Sequence, residues 1–340
     1  MLGADAKALR VSWTVLLCVL GVWAVYEVRH TLIVFTLALF LSHLLAPLIA
    51  AVQKLIPRSI SRTLALALVY LAIVAALVAV TVPIVSQIAE QASGLGAKLQ
   101  AAVQGPDLFS SIPLPGWLAP YRDRLSIFVR DRLVTVGEDM LPLLTRIGTS
   151  LLNGLGNLFS AILIPILAFF FLKDGAEMRD ALLDWFDGTA RDTLSLILDD
   201  LHVLLTKYIR ALVLLSLATF ASHTLALSLM GAPYTVLLAG IAAGLEFIPV
   251  IGPLLAAVTI LALAGLSGYV HLAWIIGFLA AYRIFQDYVL SPYLMSSGVE
   301  VPPMLVLFGV LAGEQIAGIP GMFFSVPAIA ALRIIVKRTI

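Results

Sequence analysis

The sequence is poor in charged residues and in cysteine. Only 12% of its 340 residues are Asp, Glu, Lys or Arg, against about a quarter in a soluble globular domain. The net charge of +1 gives no reason to expect a nucleic-acid partner. The single cysteine, Cys18, has no second cysteine with which to form an intrachain disulfide or a paired-cysteine metal site. These shortages argue against a soluble, disulfide-bonded or nucleic-acid-binding protein.

The common short motifs of enzymes are also missing. The sequence contains no H-E-x-x-H, no G-x-S-x-G and no P-loop lysine. The five histidines are scattered along the chain and form no recognisable ligand cluster; they are His30, His43, His202, His223 and His271. We therefore expect no enzymatic activity, no cofactor and no metal site.

Apolar residues, in contrast, are in excess and make up 61% of the chain. A membrane-spanning helix needs about 20 mostly apolar residues. The segments of that length are Val11–Val28, Thr31–Val52, Thr63–Ser86, Gly148–Leu172, Ala211–Met230, Tyr234–Leu266, Val270–Leu290 and Pro303–Val336. The sequence predicts an all-α integral membrane protein with about eight membrane segments and amphipathic helices outside the bilayer. The first segment is too long for a signal-peptide core, and we expect it to be retained.

Lysine and arginine in the short loops predict the orientation, because these residues accumulate on the cytoplasmic side. Basic residues precede the first span, separate the second from the third and close the chain. Both termini are therefore predicted to be cytoplasmic. The predicted regions are 1–86 with the N-terminal spans, 87–147 outside the cytoplasm, the span 148–172, a cytoplasmic helical region 173–210 and a C-terminal membrane domain 211–340.

The two polar regions carry apolar stripes at helical spacing. In 87–147 we expect amphipathic helices on the membrane or on a neighbouring subunit of a homo-oligomer; a solvated linker without direct function is the alternative. The acids of 173–210 form either a solvated helix face or a cation-attracting vestibule.

Two of the apolar segments are interrupted by glycine and proline. Gly244–Pro253 reads GLEFIPVIGP and Glu314–Gly321 reads EQIAGIPG. Proline lacks an N–H group and clashes with the preceding helical turn, so each helix must break. Two broken segments in a membrane protein, each with an acid beside the break, are typical of a transport site. A simple packing kink is the alternative explanation for each break.

Broken helices expose backbone N–H and C=O groups that can bind a solute. Glu246 is in addition a candidate proton carrier. Arg283 and Asp287 lie four residues apart and could pair on one helix face, or form an ion pair at the membrane edge. The predicted substrate or ion pathway consists of Glu246, Phe247, Pro249, Gly252, Pro253, Arg283, Gln286, Asp287, Glu314, Gln315, Gly318, Pro320 and Gly321.

The length of each broken segment bears on how it crosses. Each whole run is much longer than a bilayer core of about 30 Å requires, whereas each half is too short to span it. Either each run crosses with long overhangs, or it turns back as a re-entrant hairpin. We favour two hairpins that enter from opposite sides and meet near the midplane. The connection 267–269 is then external.

Several stretches resemble the AI-2E family transporters, also called PerM-type permeases. Phe247–Pro253 (FIPVIGP) is similar to the F-I-P-x-I-G-P signature of that family, and Asp287–Pro292 (DYVLSP) is similar to another of its elements. The further similar stretches are Phe171–Asp174, Lys207–Arg210, Gly313–Gly318, Gly321 and Val326–Pro327. Glu314 departs from the pattern, since the family has a glycine at that position.

The resemblance implies an eight-segment permease in a bacterial-type cytoplasmic membrane. Members of the family are often described as exporters of the furanone autoinducer-2, and some relatives are assigned sodium/proton antiport. The leading interpretation is a secondary transporter whose partners are the lipid bilayer and a small-molecule or ion substrate. A cation/proton antiporter and a non-transporting membrane scaffold are the alternatives.

Overall fold

The computed structural model describes residues 6–54, 61–104, 158–294 and 302–339, and these are helical almost throughout, with no strand among them. The helices are α1 (Ala6–Glu27), α2 (Arg29–Gln53), α3 (Arg62–Gln104), α4 (Leu158–Leu183), α5 (Gly188–Leu229), α6 (Thr235–Leu245), α7 (Ile251–Leu266), α8 (Leu272–Phe285), a π-helical segment (Gln286–Leu290), α9 (Ser291–Leu294) and α10 (Pro303–Thr339). The prediction of an all-α membrane protein is confirmed.

Four of these helices are long and apolar enough to cross a membrane; the stretches concerned are Thr31–Gln53, Thr63–Ala97, Gly188–Leu229 and Pro303–Thr339. Many of their large apolar side chains are exposed on the outside of the helix bundle, among them Leu71, Val80 and Leu217. A soluble protein of this size would bury such residues, whereas contact with lipid tails accommodates them.

Three helices continue well beyond the predicted membrane segments, among them α4, which runs on from the predicted span end at Leu172 to Leu183. α3 runs on from the predicted span end at Ser86 to Gln104, and α5 includes the second half of the predicted cytoplasmic region as well as a span. Neither junction carries a cluster of glycine and proline that would stop a helix. The remainder of the predicted outer region, 105–147, and the start of the fourth predicted span, 148–157, lie outside the described residues.

The N-terminal half is held together by α2, α3 and α4. Leu45 and Ile49 of α2 form a buried cluster with Leu66, Val69 and Tyr70 of α3. The hydroxyl of Tyr70 in α3 donates a hydrogen bond of 2.6 Å to the carbonyl of Pro165 in α4 and so ties the two helices together.

The first broken segment forms a helical hairpin, called hairpin 1, from α6, the turn 246–250 and α7. The two ends of hairpin 1 lie side by side. Tyr269, just after α7, donates a hydrogen bond from its hydroxyl to the carbonyl of Met230, just before α6, at 2.7 Å. A buried apolar cluster joins the two arms to α3 and α5, with Leu237, Leu238, Ile260 and Leu263 at its centre.

The second broken segment, α10, also folds back on itself and is called hairpin 2. Its helical angles fail at Ala317 and Gly318, where Gly318 has φ +62°. A Cβ atom on Gly313 would overlap the carbonyl of Gly321, and a Cβ atom on Gly321 would overlap the carbonyl of Gly313. The two arms therefore run antiparallel in backbone contact, which only glycine permits.

Helix α5 shows that the hairpins enter from opposite ends. Near its start, Asp200 pairs with Arg338 at the base of hairpin 2 at 2.8 Å. At its end, Met230 meets Tyr269 at the base of hairpin 1, about 45 Å further along at about 1.5 Å per residue. The rings of Phe247 and Phe323 lie 5.6 Å apart where the hairpins approach each other. This geometry agrees with the opposed-hairpin interpretation; the membrane side that each hairpin faces stays a prediction.

Candidate functional site

Two cavities meet at the turn of hairpin 1. The smaller has a volume of about 260 Å³ and the larger of about 790 Å³. The residues that line both are Glu246, Val250, Pro253, Arg283 and Gln286. The larger cavity extends along α5 towards Asp200 and is bordered by hairpin 2, whereas the smaller reaches Thr219 and His223 nearer the end of α5. The cavities are thus stacked along α5 with a shared wall.

Glu246 is the central residue of that wall. It directly follows the last residue of α6 and is only 8% exposed. The side-chain amide of Gln286, itself 5% exposed, donates to both carboxylate oxygens at 2.8 Å. A carboxylate in an apolar interior is costly unless it is hydrogen-bonded, so this amide is the contact that allows Glu246 to be there.

Gln286 reaches Glu246 from an unusual piece of helix. It is the first residue of the π-helical segment that continues α8 to Leu290. An extra residue in one helical turn changes the direction in which side chains project, and such segments are frequent at functional sites. The same segment holds Asp287, which pairs with Arg283 at 2.8 Å. The predicted pairing on one helix face is confirmed.

The turn of hairpin 1 is built by its glycine and proline residues. Val250 has φ +66°, a conformation that is rare for a β-branched side chain. A Cβ atom on Gly252 would overlap the carbonyl of Leu245, so the start of α7 lies directly on the end of α6. Pro249 and Pro253 line the larger cavity, and Pro253 lines the smaller as well.

The predicted residues of hairpin 2 lie elsewhere. Neither cavity is lined by Glu314, Gln315, Gly318, Pro320 or Gly321, and both Glu314 and Gln315 are exposed. Gly318 forms the fold-back and Gly321 the contact between the arms. Hairpin 2 contributes instead Val306, Val326, Pro327, Ala330 and Ile334 to the wall of the larger cavity. The structure thus brings Glu246, Pro249 and Pro253 of the first break together with Arg283, Gln286 and Asp287, whereas Phe247, Gly252 and Glu314 line neither cavity.

A polar group in the smaller cavity was not predicted. The hydroxyls of Thr219 and Tyr282 lie 2.9 Å apart, and His223 Nδ1 lies 2.9 Å from the Thr219 carbonyl oxygen. The ring of His223 also contacts the Tyr282 ring edge-to-face, with centroids 4.9 Å apart. A four-residue spacing of polar side chains in an apolar helix is the only signal that the sequence offers for this group.

In the described part of the chain, no group of three or more His, Cys, Asp and Glu side chains could hold a metal ion. Two histidines that are distant in sequence do meet: His43 Nε2 and His202 Nδ1 lie 3.1 Å apart.

Comparison with known proteins agrees with this architecture. Residues 13–340 match the family model described as "AI-2E family transporter". The chain is 28% identical over 182 residues to "Putative transport protein YrrI" of Bacillus subtilis (strain 168), which covers 54% of this chain and 52% of that protein. It is 29% identical over 174 residues to "Putative transport protein MT0215" of Mycobacterium tuberculosis (strain CDC 1551 / Oshkosh); the match covers 50% of this chain and 47% of that protein. The chain spans about half the length of the curated relatives it matches.

Proposed function

The chain belongs to the AI-2E family of transporters, and from this membership in a family of membrane transporters we propose that it is a secondary transporter whose solute pathway runs through the two stacked cavities. The observation that carries the proposal is the position of Glu246. A buried carboxylate in the wall between two cavities is where a charged or polar solute would be recognised. A helix kink that served packing alone would not require a buried carboxylate beside it.

The larger cavity supports a small organic solute. Its volume of about 790 Å³ is within the range of about 300–1,000 Å³ found for ligand pockets. Its wall combines apolar side chains with polar ones such as Tyr208 and Ser291 and with six charged residues, which are Asp200, Lys207, Arg210, Glu246, Arg283 and Asp287. Export of an autoinducer-2-like solute, which the family resemblance implies, fits a site of this kind.

Cation/proton antiport is a second candidate, and the burial of the ionisable group of Glu246 favours it. Among the described residues, Glu246 is the only Asp, Glu, Lys or Arg that is buried. A neutral, sugar-like solute does not require a carboxylate, whereas proton coupling requires a group that can take up and release a proton.

Flux into proteoliposomes tests the proposal. The purified protein is offered a panel of monovalent cations and small hydroxylated solutes, with and without an imposed pH gradient. We expect solute flux by the wild-type protein, and we expect Glu246→Gln to remove its dependence on the gradient while it preserves the hydrogen-bonded shape. Glu314→Gln is the matched control, because Glu314 is exposed and lines neither cavity.

The outcomes separate the candidates. Flux of a hydroxylated solute supports export, and cation flux that depends on the pH gradient supports antiport. A correctly folded protein that moves nothing in the panel would contradict both and would favour a membrane scaffold. Gradient dependence that survives in Glu246→Gln would remove Glu246 from the mechanism.

A further inference from the structure

We infer that the smaller cavity is a proton-exchange site in which His223 accepts a proton at Nε2 and passes it through cavity water to Glu246. The inference rests on the proposed transport function and adds the route by which protons reach the shared wall. It assigns a role to a histidine that is only 4% exposed and that lines the smaller cavity without a function in the proposal above.

The hydrogen bond of His223 fixes which nitrogen can accept the proton. Nδ1 lies 2.9 Å from the carbonyl oxygen of Thr219, and a carbonyl oxygen can only accept a hydrogen bond. Nδ1 must therefore carry the hydrogen. In the neutral ring Nε2 then has a free lone pair, and it has no hydrogen-bond partner among the described residues. The ring is held ready to accept one proton.

Among the other residues that line the smaller cavity, Glu246 is the group with which His223 can exchange a proton. Helix α8 contributes Tyr282 and Arg283, and the turn of hairpin 1 contributes Glu246. Apart from Glu246, hairpin 1 contributes only apolar side chains: Val250 from the turn, and Ala242, Pro253, Leu254, Ala256 and Ala257 from the arms. Tyrosine and arginine titrate above about pH 10 in their ordinary state, whereas histidine and carboxyl groups exchange protons at lower pH.

Water completes the path. The cavity volume of about 260 Å³ exceeds several times the share of about 30 Å³ that one molecule has in liquid water. The hydroxyl pair Thr219–Tyr282 supplies the polar partners that buried water requires. Water that entered from the end of α5 would therefore contact His223 and Glu246 within one cavity.

The proton balance is simple. Hydronium in the cavity protonates His223 Nε2 and leaves water and an imidazolium whose Nδ1–H still bonds Thr219. Nε2 then releases its proton to a cavity water, and that water protonates the Glu246 carboxylate. The imidazole is neutral again and Glu246 is a neutral acid. The reverse sequence returns the proton to the same side.

A matched pair of variants tests the role. His223→Asn keeps an amide that can donate to the Thr219 carbonyl but has no titratable nitrogen. His43→Asn is the control, because His43 also bonds the carbonyl four residues earlier, at 2.8 Å from Leu39, and lines neither cavity. We expect the ratio of gradient-driven to gradient-free solute flux to fall at least about tenfold in His223→Asn, as when a positioned proton carrier is removed; an effect of the substitution on the cavity wall alone would lower both kinds of flux. His43→Asn should retain both.

Equal gradient-driven flux in His223→Asn and wild type would overturn the inference and leave the transport proposal intact. Absence of any flux in the wild type would instead contradict the transport proposal. Loss of both kinds of flux in a folded His223→Asn protein would show a structural role and would also overturn the inference.

A second measurement leaves His223 in place. The other four histidines are replaced by asparagine, and the ¹⁵N signals of the remaining His223 are titrated in detergent. We expect charging at Nε2, with a midpoint that moves when Glu246 is replaced by glutamine, because the two groups share one cavity. A ring that charges at the same pH in both backgrounds, or that never charges, would contradict the exchange.

Discussion

At the scale of single residues, the contact between Glu246 and Gln286 carries the largest energetic consequence. Gln286→Leu leaves the carboxylate buried without its donor, which costs about 1–3 kcal/mol or more for a charged group. We expect a lower thermal unfolding midpoint in detergent and loss of flux. In Glu246→Leu/Gln286→Leu both partners are apolar, and we expect stability to recover although flux does not.

The pair of variants distinguishes this contact from general packing. Asp287→Asn is the control, since Asp287 belongs to the same helical segment but is 45% exposed in its pair with Arg283. A single Gln286→Leu variant as stable as the wild type would show that Glu246 does not depend on the amide.

Glu246 and Gln286 can each be identified from the sequence as candidate site residues, but the contact between them cannot be predicted from it. Glu246 was identified from its position three residues before Pro249, and Gln286 from its place near the end of the seventh segment. The hydrogen bond between them spans 40 positions in the chain, and no local pattern encodes it. The same limit explains why Thr219, His223 and Tyr282 were missed.

Glu314 shows a second limit of local sequence patterns. It sits beside a glycine-proline break as Glu246 does, yet its side chain is exposed. The backbone contact between Gly313 and Gly321 sets the rotation of its helix arm, and this rotation depends on how the arms pack. An acid beside a break therefore marks a candidate, and packing decides whether it faces a cavity.

At the scale of the elements, the turn of hairpin 1 depends on Gly252. We expect Gly252→Ala to abolish flux, because even a methyl group would overlap the Leu245 carbonyl and separate α7 from α6. Gly244→Ala is the control, since a Cβ atom there meets no atom within 4 Å. Flux in proteoliposomes and the amount of protein inserted in the membrane are measured for both. Normal flux in Gly252→Ala would mean that the turn relaxes without functional cost.

The hairpins could be predicted from the sequence, whereas the ends of the long helices could not. Each broken run is longer than one membrane crossing requires, and each half is too short to cross alone. A hairpin can therefore be predicted from residue counts. The ends of α3 and α5 do not follow from the predicted spans, because a loss of hydropathy marks where lipid contact ends. A helix continues into water wherever no glycine, proline or cap stops it.

At the scale of the whole molecule, the opposed hairpins predict the topology. With a cytoplasmic N-terminus, the connection between α7 and α8 is external. Ser267→Cys in a Cys18→Ser background should react with an impermeant thiol reagent in intact cells. Thr189→Cys, exposed at the start of α5, should react only after permeabilisation. The opposite pattern would invert the orientation that the Lys and Arg residues predict.

The thin wall between the cavities has a consequence for electrical driving force. If water filled both cavities, the transmembrane voltage would fall mainly across the shared wall at Glu246 and Gln286 and not across the full thickness of the lipid. An ion that moves past this pair then experiences nearly the whole potential, about 2.3 kcal/mol per elementary charge at 100 mV. A displacement of one side-chain length would suffice to couple the cell's voltage to transport.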